Sequence, residues 1–413
     1  MTSRERVLSS ISHIEPDGVA MDLGSNVSAG ISGMAYANLK KHLGMKEGHT
    51  RIYDVVQQVA QPEIPVLDLI GADVLDVGRV FNEKDSDWYD VVLSNGETAQ
   101  WPAWFRPIHA EDGSYVVYDH EGTLIAKMPK NGMCFDQMYF PFKDGYPDNY
   151  KDLDQQMKKV LWSSLAHSPW DHAYEKDFYA DLRKRCINLK NSSDRALMIT
   201  CGCNLFEWGA FLRRMDNFLM DTYAEPENVM ELNEQLLERH LSMLKNVCEA
   251  VGDVVDILRF GDDLGMDTGM FMSLEKYREL FKPYHRQLND YVHKHSSMKT
   301  FLHSCGSIYP LMGDLIDAGY DIINPVQTTA RDMDPLRLKQ EFGKDITFWG
   351  GGCNTRSILN HGTPSEVYDY SRRMIDIFYK DGGFIFNTEH NILPDVPPQN
   401  IMSMYKAVED ARK

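Results

Sequence analysis

The strongest constraint on how this chain folds is a rhythm in its C-terminal half. Short runs rich in Val, Ile, Phe and Leu alternate there with longer stretches of helical periodicity. Such alternation predicts βα units around a parallel sheet. Eight strand candidates can be marked: Val19–Gly24, Val74–Val80, Ala196–Gly202, Val255–Gly261, Lys299–Cys305, Ile322–Val326, Ile346–Gly350 and Phe384–Thr388. Helices are expected at Pro226–Ala250, Ser273–His295, Tyr309–Ala318, Pro364–Tyr379 and Pro398–Ala411. Eight strands suit an α/β fold of the (β/α)8 TIM-barrel type, a single domain over residues 1–413.

Residues 82–169 break the rhythm. DWYDVVLSNGETAQWP and YVVYDHEGTLIAKMP each read as a hairpin, with turns at Ser94-Asn95-Gly96 and His120-Glu121-Gly122. The segment is expected to be an insertion near the barrel mouth. Its aromatics, Trp88, Tyr89, Trp101, Trp104 and Phe105, suit either a substrate lid or a satellite core.

Bulk properties exclude several classes. The 43% hydrophobic and 25% charged content is that of a soluble globular protein. No apolar run reaches the ~18 residues of a membrane span. The N-terminal MTSRERVLSSISHIEPDG lacks an apolar signal core, so a cytoplasmic location is expected. A net charge of -18 disfavours nucleic acid, which needs a basic footprint. Seven scattered cysteines without an export signal argue against a disulfide framework and leave some thiols as candidate metal ligands.

The motif that points to chemistry is KTFLHSCGS, residues 299–307. Residues i and i+2 of a strand share a face, so His303 and Cys305 are expected to project together at the C-terminal end of a barrel strand. That end is where barrel enzymes do chemistry. An imidazole and a thiolate are a good pair for zinc, and catalytic zinc takes three protein ligands. A third must come from another strand end. The candidates are His390 or Glu389 in FNTEHNILPDVPP, Cys353 in FWGGGCNT, and the Asp262-Asp263 pair after RFG. Cys201 and Cys203 share the same spacing but are expected to line the pocket or pack. Gly350-Gly351-Gly352 has no following Lys-Ser/Thr, which rejects a P-loop.

Around these residues the chain resembles a known family. RFGDDLGMDTGMFMSLEKYRELFKPYHRQL, FLHSCGSIYPLMGDLIDAGYDIINPVQ, FWGGGCNTRSILNHGTPSEV, HNILPDVPPQNIMSMYKAV and GCNLFEWGAFLRRMDNFLMDTYAEPENV are similar to the uroporphyrinogen decarboxylase superfamily. The resemblance implies a (β/α)8 barrel and one of two chemistries. Metal-free decarboxylases of the superfamily carry an Arg-rich N-terminal segment. Here PDGVAMDLGSNVSAG has no arginine. The zinc methyltransferase branch carries the H-x-C of His303 and Cys305. In its thiol-methylating members the third ligand is a Cys at the position that His390 holds here, a departure that places both that ligand and the thiol acceptor in question.

The resemblance therefore implies a zinc-dependent methyltransferase of the O-demethylating type. It would pass a methyl group from a small methylated substrate, a methyl ether such as a methoxylated aromatic, to cob(I)alamin. The chain lacks a D-x-H-x-x-G corrinoid motif, since DHEG at Asp119–Gly122 has the wrong spacing, so the corrinoid is expected on a partner protein. The expected metal ligands are His303, Cys305 and His390, with Cys353 as alternate. Asp22, Asp262 and Glu389 are the expected catalytic residues. Expected partners are a corrinoid protein, the substrate and, in a homodimer, a second copy of the chain, with neither nucleic acid nor membrane. The alternatives are a metal-free decarboxylase and a methylcorrinoid:thiol methyltransferase.

Overall fold

A computed structural model describes all of residues 1–413. Its centre is an eight-stranded parallel sheet: β1 (Ala20–Met21), β2 (Val74–Asp76), β3 (Ala196–Gly202), β4 (Ile257–Gly261), β5 (Lys299–His303), β6 (Ile322–Asn324), β7 (Thr347–Trp349) and β8 (Phe384–Phe386). Strands adjacent in sequence pair in parallel from β2 to β8, and β8 returns to pair with β1. The barrel is sealed where β1 meets β2. There the Asp73 N–H donates to the Met21 carbonyl at 2.8 Å, and the Met21 N–H donates to the Asp73 carboxylate at 2.8 Å. All eight expected strands are present, and all belong to this one sheet.

Helix α1 (Ser3–Ile11) plugs the N-terminal end. Thr2 and Glu5 form a reciprocal capping box that starts it. Its Val7 and Ile11 pack with Ala20, Val74, Met198, Phe301, Ile322, Trp349 and Ile385, the inward-facing residues of the strands. Arg6 pairs with the buried Asp73 at 2.8 Å and Arg4 with the buried Asp256 at 2.7 Å, fixing the plug to the strand starts. With this end filled, only the C-terminal mouth is open for a site.

The outer helices that matter to the site are α2 (Phe206–Arg213), α3 (Pro226–Val251), α4 (Leu274–Leu280), α5 (Lys282–His295), α6 (Met312–Asp317), α7 (Pro364–Phe378) and α8 (Pro398–Ala411). The single helix expected over Ser273–His295 is two. Ser273 caps α4 through Lys276 N–H as a simple N-cap, but the chain breaks at Phe281 and restarts with Pro283 in the first turn of α5. A proline removes an N–H donor and its ring clashes with the preceding turn, so it begins helices and does not cross them. None of the helices is long and apolar enough to cross a membrane.

Six of the eight strands, β1, β2 and β5 to β8, end one to four residues earlier than the apolar runs suggest, and two of these ends shape the site. β2 stops at Asp76 and turns into a 3-10 segment, Val77–Val80. β5 stops at His303, so Cys305 lies beyond the strand. Both corrections occur where the chain leaves the sheet to build the mouth.

Residues 82–169 contain the two expected hairpins, Trp88–Val92 with Thr98–Pro102 and Tyr115–Tyr118 with Leu124–Met128. Gly96 and Gly122 each take a φ of 83° at the turns. The second hairpin gains outer strands Ile108–His109 and Asp136–Gln137. The segment is bonded to residues 50–58. Gln100 N–H donates to the Thr50 carbonyl at 2.8 Å, Phe135 N–H to the Val56 carbonyl at 2.8 Å, and Trp101 Nε1 to Gln58 Oε1 at 3.0 Å. Trp88, Trp101 and Phe105 are buried, whereas Trp104 is exposed.

Candidate metal centre

His303 is the last residue of β5 and faces inward, two residues after the core residue Phe301. Its tautomer follows from its neighbours. Asn324, at the end of β6, donates its Nδ2 to the Trp349 carbonyl at 2.8 Å. A carbonyl can only accept, so the other end of the amide, Oδ1, faces the ring and accepts from His303 Nδ1 at 2.6 Å. The proton therefore sits on Nδ1, and Nε2 presents a lone pair. Burial first, and then the Arg259 guanidinium, lower the His303 pKa to about 3, so the ring is neutral as a ligand must be.

Cys305 returns to that lone pair by way of a turn. Its N–H donates to Asp263 Oδ1 at 2.8 Å, and Gly306 follows with a φ of 86°. Only glycine fits there, since a Cβ on Gly306 would lie 2.4 Å from the Gly265 carbonyl carbon. The turn sets Cys305 Sγ 3.4 Å from His303 Nε2. His390, past the end of β8, completes the group. The ligand atoms of His303, Cys305 and His390 all lie within 4.8 Å of one another, and the two imidazoles meet edge to face with centroids 5.5 Å apart.

The His303–Cys305 pair fits zinc, with His390 the more distant third donor in a group that spans up to 4.8 Å. Bond lengths of about 2.0–2.3 Å place tetrahedral ligands about 3.3–3.8 Å apart, which the 3.4 Å separation of nitrogen and sulfur satisfies. Burial, and the neighbouring Asp263 and Glu207 carboxylates, push the Cys305 thiol well above its usual range, so a cation is needed to hold it as thiolate. The hydrogen bond that His303 Nδ1 donates to Asn324 Oδ1 is the outer support that metal-bound histidines usually have. His390 is less prepared. Its Nδ1 accepts from the Asn391 N–H at 2.8 Å. Ligation through either ring nitrogen would end that bond, because binding through Nε2 moves the proton to Nδ1.

The other expected site residues are placed as follows. Asp262 is buried and turned away from the three donors. It accepts from the N–H groups of Leu205, Phe206 and Glu207 at 3.2, 3.0 and 2.8 Å, capping α2, and bonds His285 Nε2 at 2.9 Å. Its neighbour Asp263 faces the centre, with Oδ1 3.8 Å from His303 Nε2. Glu389 is buried and accepts from the hydroxyls of Thr328 and Thr329, with its pKa raised by burial. Asp22 reaches the centre only through other residues. It accepts from Trp349 Nε1 at 3.0 Å and Ser25 Oγ at 2.6 Å, and Trp349 in turn holds Asn324. Burial raises the Asp22 pKa to about 7. Cys353 is buried outside the group, paired with Thr388 in an isolated bridge past the ends of β7 and β8, with its thiol pushed up to about 12 by burial. Cys201 is half-buried and Cys203 buried.

Several residues at the mouth were not singled out in the sequence. Arg259 is buried inside β4, donates to Ser28 Oγ at 3.0 Å and leaves its Nε without a partner. The Tyr53 hydroxyl, both Asp76 oxygens and the Thr200 hydroxyl are likewise buried and unpartnered. Such groups are costly in a packed interior, and Tyr53 lies close enough to Asp76 and Arg259 for their charges to act on it. Two larger cavities count His390 among their walls. One of about 350 Å³ opens over Cys305, Asp267, Gln327, Arg356 and Glu389. The other, about 540 Å³, lies under the 82–169 segment.

A closed parallel barrel with a nitrogen–sulfur donor group at its C-terminal mouth defines a class of enzyme-like folds. Residues 203–411 match the uroporphyrinogen decarboxylase (URO-D) family, and the chain belongs to that family. Among individual relatives, the uroporphyrinogen decarboxylase of Chlorobaculum parvum is 22% identical over 235 residues, 54% of this chain and 62% of that protein. That of Chlorobium limicola is 24% identical over 194 residues, 46% of this chain and 50% of that protein. The chain thus aligns with between half and 62% of the length of these relatives. A methyltransferase from Methanosarcina mazei has a similar fold, with a TM-score of 0.60, 99% of each chain covered and 14% sequence identity. At that identity the likeness bears on fold alone.

Proposed function

We propose that this protein is a zinc-dependent methyltransferase that moves a methyl group from a small methylated substrate, a methyl ether, to the cob(I)alamin of a separate corrinoid protein. The observation that carries this reading is the convergence of His303 Nε2, Cys305 Sγ and His390 at the barrel mouth, with the His303 tautomer set by Asn324. His303, Cys305 and His390 would hold the ion. A zinc ion held there would supply Lewis acidity to the ether oxygen; as the methyl passes to cob(I)alamin, that oxygen would keep the electron pair of the C–O bond and take up a proton.

The chain's own residues prepare that step. Asn324 holds the His303 lone pair toward the centre, and Asp263 with Gly306 folds Cys305 back beside it. The half-buried Asp263 carboxyl lies beside His303 and Cys305, where as a carboxylate it would offset positive charge at the centre. The α1 plug and the inward-facing core below Phe301 and Trp349 keep water out from beneath. Above, the polar cavity over Cys305 leaves the mouth open to a docking partner.

The test mixes zinc-loaded protein, a reduced corrinoid protein and candidate methyl ethers, and follows the cobalt spectrum. Substrate-dependent loss of the cob(I)alamin absorption with wild type but not with Cys305→Ala supports the reading. Carbon dioxide release from uroporphyrinogen with neither zinc nor corrinoid present would replace it with the decarboxylase alternative.

A further inference from the structure

A third cavity lies on the outer wall of the barrel and shares no lining residue with the two at the mouth. It measures about 600 Å³, in the range of small-molecule sites. Leu75 of β2 lines it from the outward side of the strand, since the neighbouring Val74 belongs to the barrel interior. The helix Phe178–Ser192 supplies one wall, where Asp181, Lys184, Arg185, Asn188 and Ser192 recur at helical spacing. Only 4 of the 13 lining residues are hydrophobic, so this wall is polar where an outer barrel helix ordinarily packs.

Four cations and two carboxylates line the cavity, in a chain whose net charge is -18. Both carboxylates are taken by Arg185, Asp181 at 2.5 Å and Glu83 at 3.5 Å. Arg195 pairs with Asp68 at 2.6 Å. Arg79 and Lys184 have no ion pair. The one hydrogen bond of the Arg79 guanidinium runs from Nη2 to the Pro62 carbonyl at 3.1 Å. Asp76 acts on Arg79 only from a distance, because both its oxygens lack a partner. Burial pulls the Arg79 pKa down, and the nearby Arg195 guanidinium repels it. A half-buried guanidinium beside a second one, with no counter-ion of its own, is an unsatisfied charge that an anion would relieve.

These features select among ligands. Two free cations suit a dianion, and a phosphate monoester carries about 1.5 to 2 negative charges at neutral pH. The arginine fork also matches phosphate geometry. A divalent metal would meet four cations and two carboxylates already paired. A fatty acid would find little apolar wall to bury its chain. The Asn188 amide is without a partner, and Ser193 Oγ, which accepts from the Arg195 N–H at 3.2 Å, keeps its own proton to donate. Both groups serve hydroxyls. A cavity of about 150 Å³ is enough for benzene, so this one has room for more than a bare phosphate ion. We propose that it binds a small phosphorylated polyol, with Arg79 and Lys184 on the phosphate and Asn188 and Ser193 on the hydroxylated body. The site is independent of the metal centre and of the methyl-transfer reading.

The test is calorimetric titration of ribose 5-phosphate, inorganic phosphate and ribose, at constant ionic strength, into wild type, Lys184→Glu and Arg79→Gln. Lys184 is exposed and unpaired, so its replacement leaves the packing intact and carries the test even where Arg79→Gln fails to fold. Cooperative thermal unfolding checks each protein. Cys305→Ala is titrated as well, which separates this cavity from phosphate held at the metal centre. The expected result is saturable binding of ribose 5-phosphate to wild type and equally to Cys305→Ala, weaker binding of inorganic phosphate and none of ribose. Each folded charge variant should bind about tenfold more weakly or worse, as loss of one charge-assisted bond implies. No saturable binding to wild type, folded Lys184→Glu that binds as wild type does, or loss of binding in Cys305→Ala would overturn the inference. Inorganic phosphate bound as tightly as the ester would overturn the polyol in favour of the free ion.

Discussion

Replacing Asn324 tests how the centre is held together, because that side chain makes two bonds with separable consequences. Its Oδ1 accepts the Nδ1 proton of His303 at 2.6 Å, and its Nδ2 donates to the buried Trp349 carbonyl at 2.8 Å. In Asn324→Ala both are lost. Without its acceptor the His303 ring is free to turn and to change tautomer, and outer hydrogen bonds of this kind are worth about 10–100-fold in metal affinity, or about 1.4–2.7 kcal/mol. Losing the bond to the Trp349 carbonyl costs about 1 kcal/mol of folding stability. Asn324→Asp separates the two effects. A carboxylate still accepts from Nδ1, so zinc affinity stays within tenfold of wild type, but it cannot donate to the carbonyl, so stability falls. Competition with a chromogenic chelator reads the affinity, and urea unfolding of the metal-free protein reads the stability. If Asn324→Ala bound zinc as tightly as wild type, the assignment of the His303 tautomer and its role would be refuted.

Two further substitutions probe neighbouring parts of the site. For Asp22, burial raises the folded-state pKa to about 7 from an ordinary 3.8, so the folded protein holds this proton more tightly than the unfolded chain does. That contribution is complete below about pH 4, declines as pH rises toward 7 and is flat above, a change of a few kcal/mol at most, about 1.4 for each pH unit. Relative to Asp22→Asn, wild type should lose stability across that window in urea unfolding, and parallel pH profiles would contradict the assignment. Gly306→Ala puts a Cβ 2.4 Å from the Gly265 carbonyl carbon at a φ of 86°. It should cost about 1–3 kcal/mol and weaken zinc binding by moving Cys305, and an alanine variant with wild-type zinc affinity would show that the turn does not position the thiol.

The barrel was legible because its strands are short apolar runs with helical stretches between them, and β3 and α8 match the expected spans to the residue. The strand ends were not legible. Apolar character continues past Asp76 and His303, but the hydrogen bonding leaves the sheet there to form the mouth. His303 and Cys305 do come together at the mouth, though by a different geometry. Cys305 joins His303 through a turn held by Asp263 and Gly306, and strand alternation plays no part. Neighbours in an extended segment point to opposite sides, so the Asp262-Asp263 pair gave no sign of which acid faces the centre. In the structure Asp262 caps α2 and Asp263 faces His303. Arg259 and Asn324 read as ordinary strand positions, and their roles emerge only from what other strands place beside them. Tyr53 comes from an N-terminal region with little periodic signal, yet its hydroxyl is buried at the same mouth.

The central claim is that one ion is gripped by His303, Cys305 and His390. X-ray absorption at the zinc edge of the purified, zinc-loaded protein tests it most directly, alongside metal content for wild type, His303→Ala and Cys305→Ala. The account predicts one zinc per chain with one sulfur and two imidazole nitrogens in its coordination sphere, and loss of bound zinc in both variants. A sphere without sulfur, or zinc content unchanged in both variants, would contradict it.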